Sequence, residues 1–185
     1  MAGRGPHFLV VGGSGMLAPV CEALAEEGGR LSLLSRHAKR FWLAGARPYD
    51  CNYYDDAAFG EALAQAVEDS GPVDLAIAWF HTLKIPAVRR LAERVGRPRR
   101  AGRLFQVLGS ATADPARPER LQAAAATAED LPNCRLRQVV LGFRVEAGRS
   151  RWLSDAEIAD GVLEAVHADR TFSVVGQLEP WSARP

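Results

Sequence analysis

A glycine turn with a buried strand before it and an amphipathic helix after it leaves few folds open to this chain. His7 to Val11 reads as the strand. A helix from about Gly15 to Glu27 then places Leu17, Val20, Cys21, Leu24 and Ala25 on one face, and Gly28-Gly29 ends it. Between them lies Gly12-x-x-Gly15-x-x-Ala18. In that context Gly12 takes the tight turn, Gly15 lets the backbone approach a pyrophosphate, and Ala18 lets the helix pack closely on the strand. The free amides at the helix start face an anion, so Gly12, Gly13, Ser14, Gly15, Met16 and Leu17 are read as a dinucleotide cradle.

Apolar runs of strand length alternate with helical periods along the rest of the chain. Strands are expected at Arg30 to Leu34, Arg47 to Asp50, Val73 to Trp79, Arg103 to Leu108, Cys134 to Leu141 and Phe172 to Val175. Helices are expected at about Ala38 to Ala44, from Asp55-Asp56 to Asp69, near Ile85 to Val95, over the alanine-rich Glu119 to Ala128, and after the capping box Ser154-Asp155-Ala156-Glu157. With right-handed crossovers this order is α/β: a doubly wound parallel sheet, the Rossmann fold, with about seven strands. The 185 residues are read as one domain.

Composition removes several function classes. No apolar run approaches a membrane span, and Phe8-Leu9-Val10-Val11 is too short for a signal-peptide core, so a cytoplasmic protein without a membrane partner is expected. Cys21, Cys51 and Cys134 lie far apart, and His7, His37, His81 and His167 show no ligand spacing, so neither a disulfide framework nor a metal site is expected. Net charge is +1. Arg89, Arg90, Arg94, Arg97, Arg99, Arg100 and Arg103 crowd one stretch, but no aromatic platform is interleaved, and no nucleic acid partner is expected.

The end of the second strand tests which dinucleotide the cradle suits. An NAD site places an acidic residue about twenty residues after the glycines to accept from the ribose hydroxyls. Here the strand ends in Ser35-Arg36-His37, with Lys39 and Arg40 beyond. Those groups suit a 2′-phosphate, which favours NADP(H) over NAD(H) and gives Ser35, Arg36 and Arg40 cofactor roles. Asp50 and Cys51 fall beside the adenine in the usual sheet order, and Ala78, Trp79 and Gly109 fall along the rest of the cofactor.

Val11-Gly12-Gly13-Ser14-Gly15-Met16-Leu17, Pro72-Val73-Asp74-Leu75 through Ala78-Trp79-Phe80-His81, Ser150-Arg151-Trp152-Leu153 and Gly176-Gln177-Leu178-Glu179-Pro180-Trp181 together resemble the short-chain dehydrogenase/reductase superfamily. The likeness is to atypical members with a G-x-x-G-x-x-A turn, and closer still to small bacterial proteins labelled short-chain dehydrogenases. It implies a nicotinamide cofactor, a small-molecule substrate and self-association into homo-oligomers. The superfamily's usual device is Tyr-x-x-x-Lys on the helix after the fifth strand. This chain departs from it: the tyrosines are Tyr49, Tyr53 and Tyr54, the lysines Lys39 and Lys84, and the helix reads Leu121-Gln122-Ala123-Ala124-Ala125-Ala126.

Reacting groups in such a sheet gather at the carboxyl ends of the strands. His81, after the fourth strand, is the candidate proton donor, and Ser110, after the fifth, stands where the superfamily keeps its substrate-orienting serine. Trp79, Phe143 and Trp152 are candidate walls of an apolar substrate pocket, and Arg144 is a candidate ligand of a substrate carboxylate or a cofactor phosphate. The expectation is an NADP(H)-dependent oxidoreductase of a small-molecule carbonyl or imine. The alternative, favoured by the missing tyrosine, is a non-catalytic NADP(H)-binding sensor.

Overall fold

The computed structural model describes residues 5–82 and 85–185, so Lys84 lies outside the described residues. The strands in chain order are β1 (His7–Val11), β2 (Arg30–Ser35), β3 (Ala46–Asp50), β4 (Leu75–Trp79), β5 (Gly102–Gly109), β6 (Cys134–Leu141), β7 (Phe143–Glu146), β8 (Arg149–Trp152) and β9 (Phe172–Val175). The helices are α1 (Ala18–Glu26), α2 (Asp56–Ser70), α3 (Ile85–Ala92), α4 (Glu119–Ala125) and α5 (Asp155–His167). All strands except β7 and β8 join one parallel seven-stranded sheet in the order β3-β2-β1-β4-β5-β6-β9. This is the doubly wound α/β fold expected from the sequence.

The period of two along each strand divides the core into layers on the two faces. Phe8 and Val10 of β1 face α1 and α5, where they meet Val20, Leu24, Ile158 and Val162. Leu9 and Val11 face α2 and α3, where they meet Phe59, Leu63, Val88 and Leu91. Both faces are covered, which is why β1 and β4 read as continuous apolar runs. The strand order reverses between β1 and β4, and the crevice at their carboxyl ends lies beside Gly12 and Trp79.

Two expectations change. The helix of Ala38 to Ala44 is a single 3-10 turn, Ala38–Arg40, with Phe41 already extended. The Asp50 carboxylate accepts from the Lys39 N–H at 2.9 Å and ties that turn to β3. The residues after β6, where no strand is expected, form the antiparallel hairpin β7–β8. Ala147 and Gly148 at its tip have φ of 49° and 76°, as a two-residue turn of strand-matching twist requires.

His7 is fully buried and shows how burial sets a protonation state. Its Nδ1 lies 2.7 Å from the Gly71 carbonyl, which can only accept, so Nδ1 carries the hydrogen. Nε2 then accepts from the Ser32 hydroxyl at 2.9 Å. Burial lowers the His7 pKa below its usual 6.5 and outweighs the opposing hydrogen bond to Gly71. The neutral ring is the folded form, so its stability contribution is present above the usual pKa and is lost as pH falls through the lowered one. Urea unfolding midpoints should therefore drop from pH 7 to pH 5, and His7→Gln should flatten that limb; an unchanged slope in the variant would remove His7 as its cause.

Candidate functional site

The turn after β1 is built by two kinds of glycine. Gly12 has φ +79°, and a Cβ there would lie 2.7 Å from the Trp79 carbonyl oxygen, so only glycine lets β1 turn against β4. Its N–H donates to the Leu34 carbonyl at 2.9 Å. A Cβ on Gly13 would collide with Cys21 Sγ and Leu33 Cδ1, both at 2.6 Å, so Gly13 brings α1 close to the sheet. Gly15 faces open space. Leu17 is buried in the N-cap position of α1 and supplies no side-chain cap, while Pro19 occupies the first turn. In this first turn the Ala18 N–H donates to the Gly15 carbonyl at 2.8 Å and the Cys21 N–H to the Leu17 carbonyl at 3.1 Å, while Pro19 has no N–H, so the helix start offers an anion little beyond the turn that precedes it.

A cavity of about 300 Å³ opens beside this turn, lined by Gly12, Ser14, Gly15, Met16, Ser35, Arg36, Tyr53, Trp79 and His81. The Ser35 hydroxyl accepts from the Ser14 hydroxyl at 2.9 Å, which ties the glycine turn to the end of β2. Arg36 is exposed and makes no ion pair among the described residues. No carboxylate lines this cavity. Arg40 is exposed but does not line it, and Asp50 is engaged by the Lys39 amide. Cys51 is buried, which pushes its thiol up to about 11 and leaves it an inert apolar neighbour. Ala78, expected along the cofactor, is fully buried, backbone included, and lines none of the cavities at this end of the sheet.

Tyr53, passed over in the sequence because it belongs to no motif, lines the same cavity. Its hydroxyl accepts from the His81 N–H at 3.1 Å, and its ring stacks on Tyr54 and meets Phe80 edge-on. Burial raises its pKa, so the phenol stays protonated at neutral pH.

Trp79 divides this cavity from two more. One of about 220 Å³ is lined by Trp79, Gly109, Ser110, Ala111, Leu141, Gly142, Trp152, Leu153, Ile158 and Arg184. The other, of about 340 Å³, is lined by Trp79, Phe80, His81, Thr82, Leu108, Gly109, Ala111, Thr112 and Arg120. His81 and Ser110 therefore share Trp79 as a wall but no cavity. The exposed His81 ring sits edge-on to Trp79, with centroids 6.2 Å apart. Ser110 is buried, and its hydroxyl accepts from Arg184 Nε at 2.8 Å.

Two proposed substrate contacts are corrected. Phe143 is fully buried, with its backbone bonded to Gln177, and lines none of these cavities. Arg144 lies on β7 and pairs with Glu157 at 2.6 Å, so its charge is already matched. Glu157 also binds Arg151 and the Ser154 N–H, and Arg151 above all holds its carboxyl well below the usual carboxylate range. Trp152 does reach the Ser110 cavity. Of α4, Arg120 reaches a cavity, and it donates to the Ala111 carbonyl at 3.3 Å.

The crowded arginines of residues 89–103 are largely matched by carboxylates. Arg89 binds Asp130 and Glu93, Arg90 binds Asp56, Arg97 and Arg100 approach Asp74, and Arg103 approaches Asp169. Cys21, Cys51 and Cys134 are free and buried. Among the described residues no helix is long and apolar enough to cross a membrane, and no group of histidine, cysteine and carboxylate side chains is placed to hold a metal ion.

Neither family models nor curated protein sequences match this chain. Solved structures do match it in fold. It is similar to the F189W variant of actinorhodin polyketide ketoreductase with NADPH, at TM-score 0.69 and 16% identity, covering 96% of this chain and 98% of that one. A short-chain dehydrogenase/reductase from Serratia marcescens matches at TM-score 0.68 and 19% identity, covering 94% and 98% of the two chains. A 3-ketoacyl-(acyl-carrier-protein) reductase from Brucella melitensis complexed with NADH matches at TM-score 0.68 and 13% identity, covering 92% and 96%.

Proposed function

From a chain with the fold of the short-chain dehydrogenases and reductases, we propose an NADP(H)-dependent oxidoreductase acting on a small-molecule carbonyl or imine. The observation that carries this reading is the pairing of open Gly15 with unpaired Arg36 across one cavity that contains no carboxylate. The residues present fit the cofactor. The backbone of the Gly12 to Gly15 turn would hold the pyrophosphate. Arg36, oriented by the Ser14–Ser35 contact, would hold the 2′-phosphate, with Arg40 adding charge nearby. Tyr53, Asp50 and Cys51 would border the adenosine, and Trp79 and Gly109 would border the nicotinamide end. When bound, the cofactor supplies or accepts a hydride.

Ser110 would orient the substrate oxygen in the cavity walled by Trp79 and Trp152. His81 belongs to the neighbouring cavities, which meet this one at Trp79, so its proton would reach the substrate through solvent. Self-association would cover Phe172 and Val174, exposed on the edge strand β9.

Tryptophan fluorescence titrated with NADPH and NADH tests the cofactor, because Trp79 borders the cradle. Quenching by NADPH at lower concentration than by NADH is expected; no quenching by either would overturn the reading. With NADPH bound, turnover of a carbonyl and imine panel should fall about 100-fold in Ser110→Ala, the loss typical of one aimed donor. His81→Ala should lose less than about tenfold, as a solvent relay bypasses it. Turnover untouched in both variants would remove these assignments. The alanine face of α4, which brings Arg120 alone to a cavity, favours the second reading, a non-catalytic NADP(H) sensor. Tight NADPH binding with no turnover across the panel would establish that reading instead.

A further inference from the structure

The segment after β9 is fixed to the β7–β8 hairpin. Phe143 and Gln177 exchange both backbone hydrogen bonds, at 3.0 and 2.9 Å. Gly142 permits that approach, because a Cβ there would lie 2.1 Å from the Gln177 carbonyl oxygen. Leu178 packs on the cluster of Leu108, Ala124 and Val140. The Gln177 side-chain amide donates to the Glu179 carbonyl at 2.6 Å, and the Glu179 carboxylate accepts from the Trp181 N–H at 3.2 Å. A 3-10 turn, Trp181–Ala183, then returns the chain to the sheet and delivers Arg184 to Ser110.

The guanidinium of Arg184 stands between two indoles, 4.9 Å from the Trp152 ring centroid and 5.5 Å from that of Trp181. Such faces hold the plane of the group without matching its charge. Arg144 and Arg151 are matched by Glu157 and Glu146. Among the described residues no carboxylate pairs with the Arg184 guanidinium, whose one hydrogen-bond partner is the Ser110 hydroxyl. Arginine has five N–H donors and no acceptor, and it keeps its charge at any physiological pH. Arg184 is exposed, so its Nη edge is open to solvent and to a ligand alike, and it stands in the wall of a cavity whose other polar side chain, apart from the tryptophan rims, is Ser110.

The same contact fixes what Ser110 can do. Because Arg184 Nε can only donate, Ser110 Oγ is the acceptor in that bond, and its own hydrogen is left to donate elsewhere. Two donors thus stand side by side: a cationic fork whose charge and two-pronged geometry match a carboxylate, and a single hydroxyl hydrogen that can reach one further acceptor beside it.

The geometry points to a substrate that carries a carboxylate next to its reacting group. Arg184 binds the carboxylate through its Nη edge, and Ser110 donates to the neighbouring carbonyl oxygen or imine nitrogen. The apolar body lies against Trp79, Leu141 and Ile158, and a cavity of about 220 Å³ limits it to a small one. The fate of the carbonyl or imine rests on the oxidoreductase reading above. The carboxylate contact stands apart from it.

The test is binding of benzoate, phenylacetate, phenylpyruvate and pyruvate, each beside its primary amide, followed by tryptophan fluorescence with and without NADPH. At least one acid should bind about tenfold or more tightly than its amide, the gain from a charge-assisted fork. Arg184→Gln should abolish that advantage, and Arg184→Lys, a charge without the fork, should keep part of it. Circular dichroism of both variants should match the parent, since Arg184 lies outside the sheet. The inference is overturned if no acid binds, if acids and amides bind alike, or if the advantage survives Arg184→Gln. It is equally overturned if Arg184→Gln tightens acids and amides together, because Arg184 would then be a plug. NADPH quenching on the same samples is read separately. Its absence would sink the cofactor reading and leave the acid and amide comparison intact, and the reverse holds as well.

Discussion

Gly12→Ala should unfold at markedly lower urea concentration than the parent and lose NADPH quenching, whereas Gly15→Ala should lose only the quenching. The two glycines differ in what surrounds them. At Gly12 an alanine meets both a φ of +79° and the Trp79 carbonyl oxygen 2.7 Å from its Cβ. The left-handed conformation costs about 1–2 kcal/mol and the forced overlap about 1–3 kcal/mol more. The obstacle is backbone, and it cannot swing aside, because β4 is hydrogen-bonded to β1 on one side and β5 on the other. At Gly15 no heavy atom lies within 4 Å of an added Cβ, so stability should stay within about 0.5 kcal/mol of the parent. A methyl there instead fills the space into which a pyrophosphate must come. A stable Gly12→Ala would show that the turn is not held by Trp79. A Gly15→Ala protein that quenches like the parent would remove the cradle.

What could be read in the sequence follows from how many neighbours specify each residue. A strand buried on both faces announces itself by a continuous apolar run, and β1 begins and ends where its run does. The capping box of α5 was equally legible, because Ser154 and Glu157 satisfy each other within one turn. The hairpin β7–β8 was not. Its side chains beyond Phe143 are exposed, so no alternation is imposed on them, and its tip is Ala147-Gly148 rather than a residue pair that signals a turn.

The site divides in the same way. Gly12, Gly15 and Arg36 are local to one strand, turn and strand end, so spacing alone placed them in one cavity. Tyr53 reaches that cavity from the loop after β3, and Arg184 reaches Ser110 across 74 residues of chain. No periodicity links such partners. Arg144 looked like the carboxylate ligand because it follows β6, but the hairpin turns it onto Glu157. In an arginine-rich chain, the informative question is which guanidiniums lack a carboxylate, and that is a property of three dimensions.

Arg36→Ala should reverse or erase the preference for NADPH while leaving NADH binding nearly unchanged. A guanidinium paired with a phosphate contributes charge-assisted hydrogen bonds worth about 1.5–3 kcal/mol, or roughly 10–100-fold in affinity. NADH has no 2′-phosphate to lose. The exposure of Arg36 places the contact partly in solvent, so the NADPH advantage of the parent should shrink as salt is raised, and that salt dependence should be shallower in the variant. Arg40 provides the control. It is exposed on the 3-10 turn that follows Arg36 but lies outside the cavity, so Arg40→Ala should weaken NADPH only a few-fold, through the general field rather than a direct contact. Ser35→Ala tests the scaffold: its hydroxyl takes the Ser14 hydroxyl at 2.9 Å and the His37 N–H at 3.4 Å, so its loss should loosen the turn that aims Arg36. Equal loss of NADPH and NADH in Arg36→Ala would make that arginine a general contributor to the site. A larger effect from Arg40→Ala would transfer the phosphate to the other arginine, because a bidentate contact must belong to the side chain that reaches the ligand.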